Sequence, residues 1–554
     1  MDNIAFWIMV VAWIFVIIWV PIIIYSNRKL HPRALFVLFF AEMWERFSYY
    51  GMRALLTLYM VKELFNHLGQ GEADSKALGI YGSYTAMVYL FPVVGGIIAD
   101  KILGFRKAIL FGGILMMAGH FALALEGMYF GGNMQLFFLS LAFIIIGNGF
   151  FKPNISSFLG KFYGVNDSRK DGAFTIFYMG VNIGALLAIV TCGYVGEEIS
   201  WHYGFGLAGI GMLAGLLVFW LMGPRAFGKK GINPSQYDID EEINEKEDVA
   251  RLEAGSEAIL DAHMREAESF EKYTSPNLKR NQWLAIIGTL IFIPICAQFL
   301  NLSDVVTVIL LVLSIGILAV IFVMSLKQDD KSKKERMWVI MVLFVFHAVF
   351  WALFEQAGGS ITLFTERNIV RHGIPASTFQ FFNSFFIIIL APLFSYMWIK
   401  LNSSGKEPST PMKFVLGLFF LAVGFGVIVI GSKYFAVEGM VSMVFLIAMY
   451  FFHTTGELCL SPVGLSMITK LSPAKAVGFV MGAWFLSISL ANKMAGLIGE
   501  LTAGEDVGDT APPSETLSVY ANTYLIWGVA VVLGAALILF LMVPLLRKWM
   551  HGIH

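Results

Sequence analysis

Six side chains able to carry or exchange charge, Glu42, Glu45, Arg46, Tyr49, Tyr50 and Arg53, sit inside an apolar run from about Ala34 to Leu64. Their spacing of i, i+3, i+4, i+7, i+8 and i+11 gathers all six on one face of a helix. The run is long enough to cross a bilayer as a tilted helix. A charge facing lipid costs several kcal/mol, so this face must point into a bundle or a watery cavity, where intramembrane charges usually mark an ion or substrate path. The blander possibility is a structural ion pair locking two helices.

The chain as a whole fits that placement. Of its 554 residues, 57% are hydrophobic and only 14% charged, with 50 Phe, and the mean hydropathy is +0.72. A soluble globule of this size has no need of so much apolar surface. A net charge of zero argues against a nucleic-acid partner. Cys192, Cys296 and Cys459 fall inside apolar spans and are too scattered for a disulfide framework or a zinc site; they read as small packing residues. Neither a metal site nor a cofactor motif is found.

Apolar runs predict fifteen spans, at about 4–25, 34–64, 76–99, 107–127, 135–160, 172–193, 203–223, 283–300, 304–326, 337–359, 376–399, 413–431, 439–468, 476–498 and 522–546. Every second loop is rich in Lys and Arg, from Arg28, Lys29 and Arg33 through Lys101, Arg106 and Lys107 to Arg547 and Lys548. The alternate loops hold little besides Glu197, Glu198, Glu500, Glu505, Asp506 and Asp509. The positive-inside rule then places the N-terminus outside and the C-terminus in the cytoplasm. The first span has only Asp2 before it and no small-residue cleavage site, so it reads as an uncleaved helix.

The predicted architecture is an all-α polytopic membrane protein. Residues 1–33 are an extra N-terminal transmembrane helix with a basic linker, 34–223 a six-helix bundle, and 224–282 a charged cytoplasmic linker. Residues 283–326 are an inserted, lipid-facing transmembrane hairpin and 327–554 a second six-helix bundle. The linker contains the acidic run YDIDEEINEKED (237–248) and a helical pattern near Leu252, Ile259, Leu260 and Met264; a solvated charge run needs no further function. Without the first helix and the hairpin, six spans remain on each side of the linker, the plan of a two-bundle transporter.

Helical rise converts positions to depths. Glu45 and Arg46 lie about eleven residues, roughly 17 Å, from the basic end of their span, near the midplane. Lys152, in GNGFFKPNISS, and Glu457, in TTGELCLSPVGLS, both lie roughly 26 Å from the other end, in the basic-side half. Arg53 and Glu355, in FWALFEQAGGS, share a depth in the opposite half. Opposite charges thus match in level across the two bundles. Pairs so placed, Lys152–Glu457 on the inner side and Arg53–Glu355 on the outer, can close one side of a central cavity while the other opens.

These motifs resemble the proton-coupled oligopeptide transporter (POT, or PTR) family of the major facilitator superfamily. The family pattern ExxERFxYY is met in full by Glu42-Met-Trp-Glu45-Arg46-Phe-Ser-Tyr49-Tyr50. GNGFFKPNISS (147–157), FYMGVNIGA (177–185), FWALFEQ (350–356) and GELCLSPVGLS (456–466) are similar to its later helix motifs. GGIIADKILGFRK (95–107) is similar to the superfamily loop in which Asp100 and Arg106 brace the cytoplasmic gate. The resemblance covers residues 34 to about 546, hairpin included, and leaves the first helix unaccounted for. It implies the major facilitator fold and a proton-driven symporter that imports di- and tripeptides by alternating access, a multi-pass monomer in the bacterial inner membrane.

The residues can be matched to what the resemblance implies. A short peptide is a zwitterion, so its site needs cations, an anion and amphipathic walls. Arg46 and Lys152 suit the carboxylate, Arg as a bidentate grip and Lys as a point charge; Glu457 with Asn182 and Asn383 suits the ammonium group. Tyr49, Tyr50, Tyr84, Trp351 and Trp484 match positions lining the side-chain pockets, where aromatics with a polar handle accept varied groups. Glu42 and Glu45, with Arg46 between them, are the expected proton-responsive cluster, since moving a neighbouring cation switches a buried carboxylate between charge states. Glu355 and Glu457 are further candidates. His120, His347 and His453 also lie within spans and could act as pH switches, although a lone intramembrane His is more often a hydrogen-bonded packing residue. Lys493 is a buried cation with no evident partner. A proton-coupled carrier of nitrate or another small solute is the alternative, disfavoured because Glu457 is wasted on an anion. A membrane-embedded enzyme would show a HExxH or GxSxG constellation, and neither occurs in this chain.

Overall fold

In lipid every backbone polar group must be satisfied within the chain, so these apolar runs have little choice but helix. The computed structural model describes residues 4–164, 167, 169–234, 276–473, 476–504 and 512–553. The acidic run at 237–248, the pattern at 252–264, and Asp2, Glu505, Asp506 and Asp509 lie outside the described residues. Helix α1 (Ile4–Asn27) precedes α2 (Arg33–Tyr59), α3 (Gln70–Ile98), α4 (Phe105–Tyr129), α5 (Met134–Gly160), α6 (Lys170–Glu198) and α7 (Trp201–Phe227). The hairpin is α8 (Pro276–Asn301) and α9 (Ser303–Leu326). There follow α10 (Lys331–Phe354), α11 (Ser360–Asn368), α12 (Phe381–Ser403), α13 (Thr410–Tyr434), α14 (Met443–Leu471), α15 (Val477–Glu500), α16 (Pro513–Thr523) and α17 (Val532–Trp549).

Fourteen helical runs among the described residues are long and apolar enough to cross a membrane. Helix α2 is outside that group because it carries Glu42, Glu45, Arg46 and Arg53, and it is buried on nearly every side. It makes the fifteenth span. Two of these runs each join two α-helices. Residues 331–368 join α10 to α11 through a tighter turn at Glu355–Gly358, where two successive glycines interrupt the helix. Residues 513–549 join α16 to α17 through a π-helical stretch at Tyr524–Val531.

Two large hydrophobic cores form among the described residues, beside a small cluster of Ile321, Met337 and Ala483. One is built from α1 to α7 with part of the hairpin, the other from α10 to α17. Leu58 and Leu78 of the first half are buried in the second core, which joins the halves away from the basic loops. That side is called the opposite face below, and the side bearing the basic loops the basic face. Helix α1 buries only Ala5, Val16, Val20 and Ile23 and packs on α6; its Trp13 Nε1 donates to Thr191 Oγ1 at 2.9 Å.

One expectation needs correction. The opposite face is not free of cations, for Lys62, Arg367 and Arg371 lie there, each ion-paired to Glu366 or Asp74. Lys62 escapes a loop count because the predicted span 34–64 includes it, whereas Arg367 and Arg371 belong to the predicted loop 360–375 and make that loop an exception to the alternation. Arg106 holds backbone carbonyls, donating to Lys230 O at 2.7 Å and Gly228 O at 2.5 Å, and so ties the start of the long connector to α4.

Close backbone contact fixes the charged helix. A Cβ on Gly184 of α6 would collide with the Met43 carbonyl of α2 and lie 3.0 Å from Arg46 Cβ. Replacing Gly184→Val should therefore destabilise the first half by about 1–3 kcal/mol through overpacking, read as a lower midpoint of thermal unfolding in detergent. Gly478→Val, with nothing within 4 Å of its added Cβ, should leave the midpoint nearly unchanged.

Candidate functional site

Helix α2 presents its polar face to the seam between the halves. Arg46 is 2% exposed, Glu45 0% and Glu42 4%. The guanidinium Nε of Arg46 lies 3.0 Å from Glu42 Oε1 and 2.5 Å from Glu45 Oε2, and Asn148 Nδ2 of α5 donates to Glu45 Oε1 at 3.1 Å. Two carboxylates compete for one cation in a dry setting. Arg46 Nη2, Glu42 Oε2 and the hydroxyls of Tyr49 and Tyr84 are buried with no hydrogen-bond partner among the described residues. Such unmet bonding capacity is uncommon in packed interiors and calls for an explanation; protons, water or a ligand would satisfy it.

Two turns further along α2, Arg53 pairs with Glu355 of the second half through Nη2 and Oε2. Its Nε also donates to Tyr81 Oη at 2.7 Å. The bonds across the seam then multiply toward the opposite face. Thr57 Oγ1 donates to Gly358 O at 2.7 Å, Lys62 pairs with Glu366, and Arg367 Nη2 reaches Asp74 Oδ1 at 2.7 Å. Glu197, at the end of α6, accepts from the backbone N–H of Ala376 at 3.0 Å and Ser377 at 2.7 Å. The molecule is therefore sealed on the opposite face.

Beneath the seal lies a cavity of about 170 Å³ between the halves. The first half lines it with Tyr50, Arg53, Tyr89, Tyr178 and Asn182, the second with Trp351, Glu355, Asn383, Tyr450, His453 and Glu457. Asn383 Nδ2 donates to Glu457 Oε2 at 2.9 Å. Cation and anion, tyrosine hydroxyls and a tryptophan edge thus meet in one small space. Drug-sized pockets run to roughly 300–1,000 Å³, so this cavity suits a small polar ligand.

The residues expected from sequence divide by position. Tyr50, Arg53, Asn182, Trp351, Glu355, Asn383 and Glu457 line the cavity. Glu42, Glu45 and Arg46 sit deeper along α2. Tyr49 and Tyr84 are packed in the first half, and Trp484 stacks near His347 with ring centroids 4.1 Å apart. Lys152 and Glu457 are not joined: Lys152 Nζ lies 4.3 Å from the centroid of the Tyr89 ring, while Glu457 is held by Asn383. Matching depth alone does not bring two residues together, because it leaves their separation within the membrane plane unset. Of the histidines, His347 is bonded to Ser487 at 2.7 Å and to the Trp351 indole at 2.9 Å, a packing role. His453 lines the cavity, and neither ring nitrogen of His120 has a partner among the described residues.

Tyr89, Tyr178, Gln380 and Tyr450 line the cavity without having been singled out. For two of them the signal was available: Tyr178 is one turn before Asn182, and Tyr450 shares a helical face with His453 and Glu457. Gln380 belongs to a short turn that no periodicity marks.

Comparison with known proteins places this arrangement. The profile of the POT family matches residues 106–511. The chain is 35% identical over 93% of its length to Peptide transporter YePEPT of Yersinia enterocolitica, covering 95% of that protein. It is 30% identical over 94% of its length to Dipeptide and tripeptide permease B of Salmonella typhimurium, covering 96% of it. A crystal structure of the peptide transporter POT in complex with sulfate superposes with a TM-score of 0.73 at 33% identity, covering 94% of this chain and 96% of that one. A POT family transporter in complex with 5-aminolevulinic acid also superposes at 0.73, with 30% identity over 94% of this chain and 97% of that one. With its family profile, relatives along nearly the whole chain and a shared two-bundle fold, this protein is a member of the POT family of transporters.

Proposed function

We propose that this protein is a proton-driven symporter that imports di- and tripeptides by alternating access. One observation carries the reading: a small cavity at the seam is lined by Arg53, Glu355 and Glu457 together with four tyrosines, Tyr50, Tyr89, Tyr178 and Tyr450. Relatives along almost the full chain are peptide permeases. A zwitterion needs both signs of charge, whereas nitrate has no use for Glu457.

Glu457, with Asn383 and Asn182, takes the peptide ammonium group. Lys152 and Arg46 take the carboxylate, Lys152 being placed on the ring of the cavity residue Tyr89. Arg46 is already engaged by Glu42 and Glu45. Protonating either glutamate removes one competitor, so the guanidinium can turn to the substrate; loss of the proton reverses the exchange. That competition couples proton and peptide. Tyr49, Tyr50, Tyr84, Trp351 and Trp484 accommodate side chains as the halves move. Arg53–Glu355 is the outer gate, and Lys152–Glu457 forms the inner gate when the basic face closes. The basic loops face the cytoplasm of a bacterial cell, the N-terminus lies outside, and the transporter works as a monomer.

Uptake of labelled dialanine into proteoliposomes under an imposed inward proton gradient tests the reading. Wild type should accumulate the peptide, and Glu45→Gln should lose accumulation while keeping counterflow exchange. No accumulation of any di- or tripeptide by wild type would refute the reading and turn attention to nitrate. Removing one member of a buried ion pair costs about 3–5 kcal/mol, so Glu355→Ala should open the outer gate. A thiol reagent added from outside should then label Ser384→Cys, a cavity position, much faster than in the parent. The charge swap Arg53→Glu with Glu355→Arg should slow labelling again.

A further inference from the structure

The inserted hairpin does more than face lipid. Its first arm, α8, grips the first half: Phe292 packs on Phe91 with ring centroids 5.8 Å apart. In the same arm Gln282 accepts from Lys107 Nζ at 2.7 Å and donates to Ile102 O at 3.0 Å. The second arm, α9, grips the second half. Trp338 Nε1 donates to Ser325 Oγ at 3.1 Å, and Ile321 is buried with Met337 and Ala483. Only Leu302 separates the two arms.

At that elbow sits Lys493 of α15, 1% exposed. Its Nζ contacts Ser303 Oγ of the hairpin and lies 3.0 Å from Ser83 Oγ and 3.4 Å from Gly79 O, both on α3. It reaches α3 because the two backbones nearly touch: a Cβ on Gly82 would lie 2.7 Å from Gly496 Cα. One buried cation thus ties together the first half, the second half and the hairpin. No carboxylate is within ion-pair distance of it among the described residues; Glu500 and Asp304, toward the opposite face, are the acids that act on it electrostatically. An intramembrane lysine is costly and is rarely retained without a task.

We propose that the hairpin is a strap across the α3–α15 seam, and that Lys493 is the positioning residue that fastens its elbow and holds the opposite face closed. When α3 and α15 part there, Lys493 gives up Ser83 and Gly79, keeps Ser303, and turns toward Glu500 or Asp304. The exchange keeps the charge solvated by protein in both states, which lets a lysine sit on a moving interface.

The test uses full-length protein in lipid nanodiscs with spin labels at Asn66→Cys and Tyr434→Cys, one on each half at the opposite face. This distance readout needs no substrate, so it stands apart from the peptide reading. Lys493→Met should raise the open population about tenfold, as expected for the loss of one charge-assisted hydrogen bond, and Lys493→Arg should restore most of the closed population. Ser303→Ala, which leaves the lysine and both halves intact, should shift it the same way to a smaller extent. In proteoliposomes Lys493→Met should lower Vmax for dialanine with little change in KM. Distances unchanged in both Lys493→Met and Ser303→Ala would overturn the proposal. A shift in Lys493→Met alone would overturn the strap, leaving only a contact between α3 and α15. If Lys493→Met fails to fold, Ser303→Ala and Ser83→Ala decide by the same distances.

Discussion

The cost of a charge in a medium without water organises this molecule. Each charged group at depth needs a compensating partner, and the seam between the halves is where such partners can be offered and withdrawn. Arg46 sits between two carboxylates that cannot both hold it equally well. Arg53 reaches across to Glu355, and Lys493 reaches across to α3. None of these cations faces lipid. What appears as a scatter of charges in a greasy sequence is a set of contacts drawn to one plane.

That plane is unevenly bonded. The hydrogen bonds and ion pairs between the halves run from mid-membrane to the opposite face, as with Ser489 to Ala86 O, Thr57 to Gly358 O and Arg367 to Asp74. The cavity lies at the inner limit of this zipper, so whatever occupies it touches the groups that begin the seal. Arg53 and Glu355 belong to both cavity and seal. Helix α2 therefore connects the cavity, the cluster of Glu42, Glu45 and Arg46, and the seal within a few turns of one rigid element.

Much of this was legible in the residue order. Apolar runs set fifteen spans, and the periodicity of Glu42 to Arg53 set the polar face, because helix and membrane each impose a strict geometry on sequence. Depth arithmetic paired Arg53 with Glu355, which the fold brings into contact. The same arithmetic paired Lys152 with Glu457, which this conformation keeps apart, because depth fixes one coordinate and the separation of two moving bodies fixes the others. Tyr84 and Trp484 were matched to pocket positions but are packed away from the cavity, since facing inward from a helix does not say whether the wall is reached. Lys493 could not be interpreted at all: its partners Ser83, Gly79 and Ser303 are small polar groups that occur throughout the chain, and only packing selects them.

The interruption at Gly358–Gly359 has a mechanical consequence. Helix α11 is nine residues long, about 14 Å at the helical rise, and it carries Glu366 and Arg367, the partners of Lys62 and Asp74. Glu355 lies on the other side of the break. A bend at the two glycines would swing the short lever and free the Lys62–Glu366 and Arg367–Asp74 bridges, the second with its carboxylate buried, while leaving the Arg53–Glu355 contact shut. The seal therefore need not rupture in one event. It can be unlatched in stages, with the steepest electrostatic barrier met last, once the fulcrum has already yielded.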